Sequence, residues 1–301
     1  MRNFFRKLAY ILSAPFRLIF YLGRGIVRFI GNTNRRLKNF FTEEPEDTPL
    51  PDAFAKTVQN PMGILYHLNA LRIHLFRALG ALVITVILSF TFIEPILEIL
   101  SRPLPGGLES LTAIDVTEPL GTVMRVALLS GFAIAFPYIV FEIYLFVAPG
   151  ISRHARIMGL IGIPLATIFF LGGMAFAYYV MIPAALPFLI NFMGINTIPR
   201  PSSYISFVTS LMFWIGVAFE FPLVIYVLAG MGILEPKVLR NQWRLAIVII
   251  SVIAAMITPT IDPVSMSLVM GPLILLYFLS IGMAYMANRG RIRRAEERAA
   301  A

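Results

Sequence analysis

From residue 75 onward the chain returns again and again to apolar stretches near the length that crosses a lipid bilayer. They lie at about 75–96, 121–147, 157–181, 204–228, 245–258 and 264–287. Hydrocarbon offers backbone N–H and C=O groups no water, so segments of this kind must satisfy themselves as helices. The expectation is an all-α membrane protein with six transmembrane helices. Composition agrees: 58% of the 301 residues are hydrophobic and 14% charged, with a mean hydropathy of +0.81. A water-soluble domain of this length does not carry so little charge on so much apolar surface.

Lys and Arg in the short connections set the orientation. Arg72 and Arg77 flank the start of the first stretch, and Arg153 and Arg156 lie between the second and third. Lys237, Arg240 and Arg244 lie between the fourth and fifth, and Arg289, Arg291, Arg293, Arg294 and Arg298 follow the sixth. The opposite connections hold Arg102 and Arg200 but also Glu98, Glu109, Asp115, Glu118 and Asp262. Both termini are therefore expected in the cytoplasm. The fifth stretch is short, with roughly 20 Å of helix at 1.5 Å per residue against a hydrocarbon core of about 30 Å. It is either packed among longer neighbours or a device for local bilayer thinning.

Residues 1–41 hold nine of the 25 Lys and Arg and no acid, so the remaining 16 balance the 16 Asp and Glu and the whole net charge of +9 sits here. Arg6, Arg17, Arg24, Arg28 and Arg35 fall within an arc of about 40° on a helix, with aromatic and aliphatic residues around the rest. This predicts an interfacial amphipathic helix on anionic lipid, not a nucleic-acid-binding arm. Arg35-Arg36 is part of that basic face, because an acidic, Pro-rich linker at 42–59 follows it instead of an apolar core.

No enzyme, cofactor or metal chemistry is expected. The chain has no cysteine, its three histidines (His67, His74, His154) lack ligand spacing, and no phosphate loop or Ser/His/Asp grouping appears. One residue stands out. In "GVAFEFPLVIY" Glu220 is the only charged residue between Arg200 and Glu235, and Pro222 removes a backbone donor beside it. A charge at a helix centre costs roughly 2.5–3.5 kcal/mol on insertion scales, so it faces a protein interior or a water path and marks function. A protonated glutamate bonded to a neighbouring helix is the plain alternative, and the two are compatible. Pro222 frees a carbonyl and bends the helix. A secondary transporter or ion channel using Glu220 is one functional class open to such a chain, although no internal repeat is visible.

The sequences "HLNALRIHLF" (67–76), "RPLP" (102–105), "FPYIVFEIYLFVAPGISRHAR" (136–156), "GMAFAYYVMIPAALPFL" (173–189), "SYISFVTSLMFWIGVAFEFPL" (203–223) and "ITPTIDPVSMSLVMGPLILLY" (257–277) point to another class. Together they resemble TatC, the multi-spanning core subunit of the twin-arginine protein translocase. The resemblance implies a six-span domain over 60–287 with a concave, cup-shaped arrangement, a basic cytoplasmic tail at 288–301, and residence in the inner (cytoplasmic) membrane. It implies transport of folded proteins, with TatA- and TatB-type single-span subunits, twin-arginine precursors and further TatC copies as partners. Glu220 would then be the family's fourth-span glutamate on the concave face, with Pro222 shaping it. Pro103 would match the proline of the outer cap, Phe146 the aromatic residue at the end of the second span, and Asp262 the turn before the sixth.

The resemblance also marks two departures. The family binds the arginine pair with glutamates in the patterns "HLxELR" and "HE", where this chain has Ala70 and Ala155. His67, Leu68, Leu71, Arg72 and His154 remain, and Arg72, Arg153 and Arg156 leave a basic face. A guanidinium wants a bidentate carboxylate, which a methyl group does not provide. Three accounts are open. The chain is a paralogue that assists another TatC, which is the preferred one; or other acids substitute, Glu142 first and then those of the linker; or clients are recognised by a different feature.

Overall fold

A computed structural model describes the backbone of residues 61–150, 153–190, 198–258 and 263–299, all of it helix or connection. The expected surface helix at 1–41, the linker at 42–59 and Asp262 lie outside the described residues. The chain divides into a large unit (67–145 with 160–301) and a small one (1–66 with 146–159).

The helices are α1 (Pro61–Phe90), α2 (Ile93–Ser101), α3 (Glu118–Val147), α4 (Arg153–Phe176), α5 (Ile182–Ile190), α6 (Pro201–Phe219), α7 (Phe221–Met231), α8 (Pro236–Asn241), α9 (Trp243–Ile257) and α10 (Pro263–Ala299). Among the described residues five segments are long and apolar enough to cross a membrane: His67–Phe90, Glu118–Val147, Gly159–Ile190, Pro201–Met231 and Pro263–Arg293. The expected fifth of six spans is α9, whose 15 residues reach roughly 22 Å at 1.5 Å per residue.

Local chemistry explains the boundaries. The first span ends at Phe90 instead of running on to 96. The amide nitrogens of Thr91 and Phe92 turn back to the Leu88 and Ser89 carbonyls at 3.1 Å each, closing α1. Pro95 has no N–H to continue it, but sits without loss in the first turn of α2, where that donor has no helical partner. The third span carries a π-helical turn, Ala177–Met181. It widens the helix just before Pro183, and so absorbs a missing donor. At the end of α7 Gly232 takes φ 81°, and its neighbour's amide reaches back from Ile233 to the Leu228 carbonyl at 3.0 Å. A Cβ at Gly232 would collide with the Arg291 guanidinium of α10.

The core of the large unit lies where α3, α4 and α6 meet. Phe136 stacks on Phe170 at 4.1 Å, and Phe132 packs edge-on against Phe170 and Phe213 at 5.6 and 5.1 Å. Lipid tails supply no hydrophobic drive between helices, so close contact must come from small residues that let backbones approach. Gly173 of α4 and Gly216 of α6 provide it. A Cβ on Gly173 would fall 2.8 Å from the Ile215 carbonyl oxygen and 2.9 Å from the Gly216 Cα. Around Gly172, one residue earlier, such a Cβ meets nothing within 4 Å.

Those adjacent glycines give a matched test. Gly173→Ala should destabilise the detergent-solubilised protein by about 1–3 kcal/mol, because backbone must move. Gly172→Ala should be neutral or stabilising by up to about 1 kcal/mol, because the helix gains propensity. Thermal unfolding followed by retained helicity checks both; equal losses would refute the contact.

Candidate functional site

Glu220 sits at the joint of the fourth span, between α6 and α7. Its own amide donates to Val217 three residues back at 3.1 Å, and its carbonyl accepts from Val224 at 2.9 Å. Pro222, buried, cannot donate to the carbonyl one turn earlier, which is why the helix tightens here. The side chain is half-buried, and its Oε1 atom is buried with no hydrogen-bond partner among the described residues. The aromatic neighbours on either side are committed elsewhere: Phe219 packs on Phe176 at 5.7 Å and Phe221 on Tyr277 at 6.5 Å. A carboxylate oxygen so placed has room to accept one hydrogen bond or to carry a proton.

The segment of α1 that carries the "HLNALR" sequence is mostly exposed. His67, Leu71 and Arg72 are exposed and Ala70 is half-buried. One turn further along, His74 Nδ1 lies 2.5 Å from Glu142 Oε2. Tyr138 donates its hydroxyl to Glu142 Oε1 at 2.6 Å. Glu142 is only 3% exposed. Both of its oxygens are therefore engaged within the protein, which bears on its expected service as a substitute acceptor for arginine.

In the small unit, His154 and Ala155 stand on the first turn of α4, and their side chains lie outside the described residues. Arg156 corrects an expectation. Rather than lying on an exposed basic face, it is 5% exposed and folds back on the end of α3. Its Nε donates to the Ala148 carbonyl at 2.8 Å and its Nη2 to Pro149 at 3.4 Å. These are carbonyls that the helix end leaves without helical donors. Phe146 and Pro103 are both half-buried, Phe146 near the end of α3 and Pro103 in the turn after α2.

A second carboxylate cluster was not foreseen. Glu118 begins α3 and is buried. Its Oε2 accepts the Ile114 and Asp115 amides at 2.9 and 3.4 Å, and its Oε1 accepts Ser202 Oγ at 2.5 Å and Arg200 Nη2 at 3.1 Å. Arg125 adds a bond from its Nη1 to the Ser202 carbonyl at 3.1 Å. Ser202 and Arg200 lie more than 80 residues from Glu118 in sequence, so no local spacing signals them. Beside it, Tyr178 and Tyr204 donate to the Ile99 and Leu100 carbonyls at the end of α2, at 2.6 and 2.8 Å. Among the described residues no group of three or more His, Cys, Asp or Glu is placed to hold a metal.

Comparison with known proteins places this geometry. Residues 66–272 match the family model described as TatC, Sec-independent protein translocase protein. The TatC protein of a Synechocystis strain is 34% identical over 225 residues, covering 73% of this chain and 87% of that protein. That of Carboxydothermus hydrogenoformans is 34% identical over 226 residues, 74% of this chain and 93% of the relative. A crystal structure of a twin-arginine translocase receptor, TatC, superposes with a TM-score of 0.66 at 33% identity, covering 73% of this chain and 99% of that one. The chain thus belongs to the TatC family of Sec-independent protein translocase proteins, multi-pass membrane subunits of the twin-arginine translocase with no enzymatic reaction of their own.

Proposed function

We propose that this subunit serves the transport of folded proteins across the cytoplasmic membrane as a divergent paralogue, with altered recognition of the twin-arginine signal. The observation that carries this reading is the pair Ala70 and Ala155, at the positions where the resemblance expects the two recognition glutamates. A methyl group offers a guanidinium no acceptor. Glu142, the nearest substitute in sequence terms, is buried and already holds His74 and Tyr138. Family membership supports this over a secondary transporter or channel.

In the same reading the chain has six spans, α9 being the short fifth, with both termini in the cytoplasm and the described helices arranged around a concave face. Glu220, with Pro222, Phe146 and Pro103, lies on the path of client or partner helices. The unpartnered Oε1 of Glu220 supports this, since it leaves an acceptor for a polar group from another chain. TatA- and TatB-type single-span subunits, another TatC copy and twin-arginine precursors are the partners, and residues 1–41 hold anionic lipid.

Recognition is tested by photocrosslinking in membranes. Ala70→Glu combined with Ala155→Glu should strengthen capture of a precursor bearing two arginines by at least about tenfold, because a hydrogen bond to a charged group contributes roughly 1.5–3 kcal/mol. The same change should not help a precursor bearing two lysines, whose ammonium groups lack the fork geometry. If the unmodified chain already captures the arginine precursor as well as the double variant does, the two alanines are not a lesion.

Glu220→Gln should leave insertion and folding intact while lowering transport or partner crosslinking, because charge and one acceptor change and volume does not. Undiminished partner crosslinking would remove Glu220 from the path. Topology is checked with reporter fusions at Gly106, Asn196 and the C-terminus. The first two should report the outside and the last the cytoplasm.

A further inference from the structure

The first span is the least buried of the long spans in the large unit. Within its most apolar stretch 6% is buried, against 28–39% in the four other long spans. Contacts with α3 are made at mid-span and nearer its start. At mid-span Thr85 donates its hydroxyl to the Gly131 carbonyl at 2.8 Å, and Val86 fills the space where a Cβ on Gly131 would fall 2.6 Å away. Roughly 18 Å along the helix, at 1.5 Å per residue, His74 meets Glu142 at 2.5 Å. Tyr138, one turn from Glu142 on the same face of α3, holds the other carboxylate oxygen at 2.6 Å.

The two ties act on different parts of α1. The Gly131 contact fixes the middle of the span and does not by itself impose a position across the membrane plane on the end bearing residues 67–72. The second tie supplies one. Ala70 and His74 are four residues apart and so lie on one face of α1. Whatever fixes His74 therefore fixes the direction in which the Ala70 turn is presented.

We propose that Glu142 is a positioning residue for client recognition: through His74 it fixes where the 67–72 segment of α1 stands against α3. This rests on the reading of the chain as a client-binding subunit of the translocase. Glu142 does not meet the client itself. At 3% exposure, with an imidazole on one oxygen and a phenol on the other, it acts through His74. The arrangement also gives a role to a charged group that the family resemblance leaves without one.

The absence of cysteine allows clean labelling. Spin labels at Asn69→Cys and Ile143→Cys, both exposed positions, would report the distance between the tied ends in nanodiscs. Labels at Ile87→Cys and Ile134→Cys would report the mid-span contact. His74→Ala should at least double the width of the 69–143 distribution, leave the 87–134 distribution unchanged, and lower crosslinking of a twin-arginine precursor several-fold.

Glu142→Ala should do the same. Glu142→Gln keeps an acceptor for Tyr138 and a hydrogen-bonding group for His74, and should stay near wild type in both readouts. Should Glu142→Ala fail to fold, His74→Ala, at a side chain already 20% exposed, carries the test. An unchanged 69–143 width in His74→Ala would overturn the proposal, as would widening with undiminished crosslinking, or Glu142→Gln as damaging as Glu142→Ala. If the unmodified chain captures no twin-arginine precursor, the altered recognition read from Ala70 and Ala155 accounts for it, and the two distance distributions alone decide whether Glu142 positions the segment.

Discussion

Everything in this fold answers to the shortage of hydrogen-bond partners at helix ends. The last carbonyls of a helix have no donor within it, and near or inside a bilayer water does not make up the deficit. The chain meets this with side chains sent from other helices. Tyr178 and Tyr204 donate to the end of α2, Tyr277 donates to the Leu239 carbonyl of α8 at 2.5 Å, and Arg156 folds onto the carbonyls that follow α3. Each cap does two jobs. It satisfies a carbonyl, and it fixes a short connecting helix or loop to a span.

Between the ends, the spans are held by shape. Gly173 and Gly216 bring α4 and α6 to backbone contact, Gly131 admits Val86 of α1, and a smaller cluster of Ile225, Ala229, Ala284 and Ala287 joins α7 to α10. Proline shapes the same helices from within. Pro222 sits at the Glu220 joint, Pro183 follows the π turn, and Pro137 and Pro164 lie inside α3 and α4. Small residues thus decide where helices touch, and prolines remove backbone donors within the spans. Together they place Glu220 where two helical segments meet and one carboxylate oxygen is left without a partner.

The sequence reveals what depends on neighbours along the chain and hides what depends on distant ones. Apolar length revealed the long spans, and the oddness of a lone acid beside a proline revealed Glu220. The first span was read too far because hydropathy counts Ile93 and Ile96 as membrane residues, whereas Pro95 marks the start of a new helix. Arg156 was misread because a count of charges cannot tell a solvated guanidinium from one folded onto carbonyls. The tie between His74 and Glu142 spans 68 residues, and the Glu118 cluster more than 80. Nothing in either local pattern distinguishes these residues from ordinary helix-end charges.

The three buried or half-buried acids among the described residues can be ordered by how completely the fold satisfies them, and that order separates their roles. Glu118 accepts from two amides, a hydroxyl and a guanidinium, and with so many donors it is fully spent on holding a helix start to a distant loop. Glu142 has one partner on each oxygen, enough to make it a tie and too buried to release easily. Glu220 has an oxygen that is buried and unpaired among the described residues. A buried polar atom without a partner is destabilising by about 1–3 kcal/mol, which is the physical ground of the proposal that Glu220 serves a client or partner path. The fold has supplied donors elsewhere from as far as 104 residues away. The Glu220 carboxylate is thus the least satisfied of the three, with one oxygen that has no hydrogen-bond partner among the described residues.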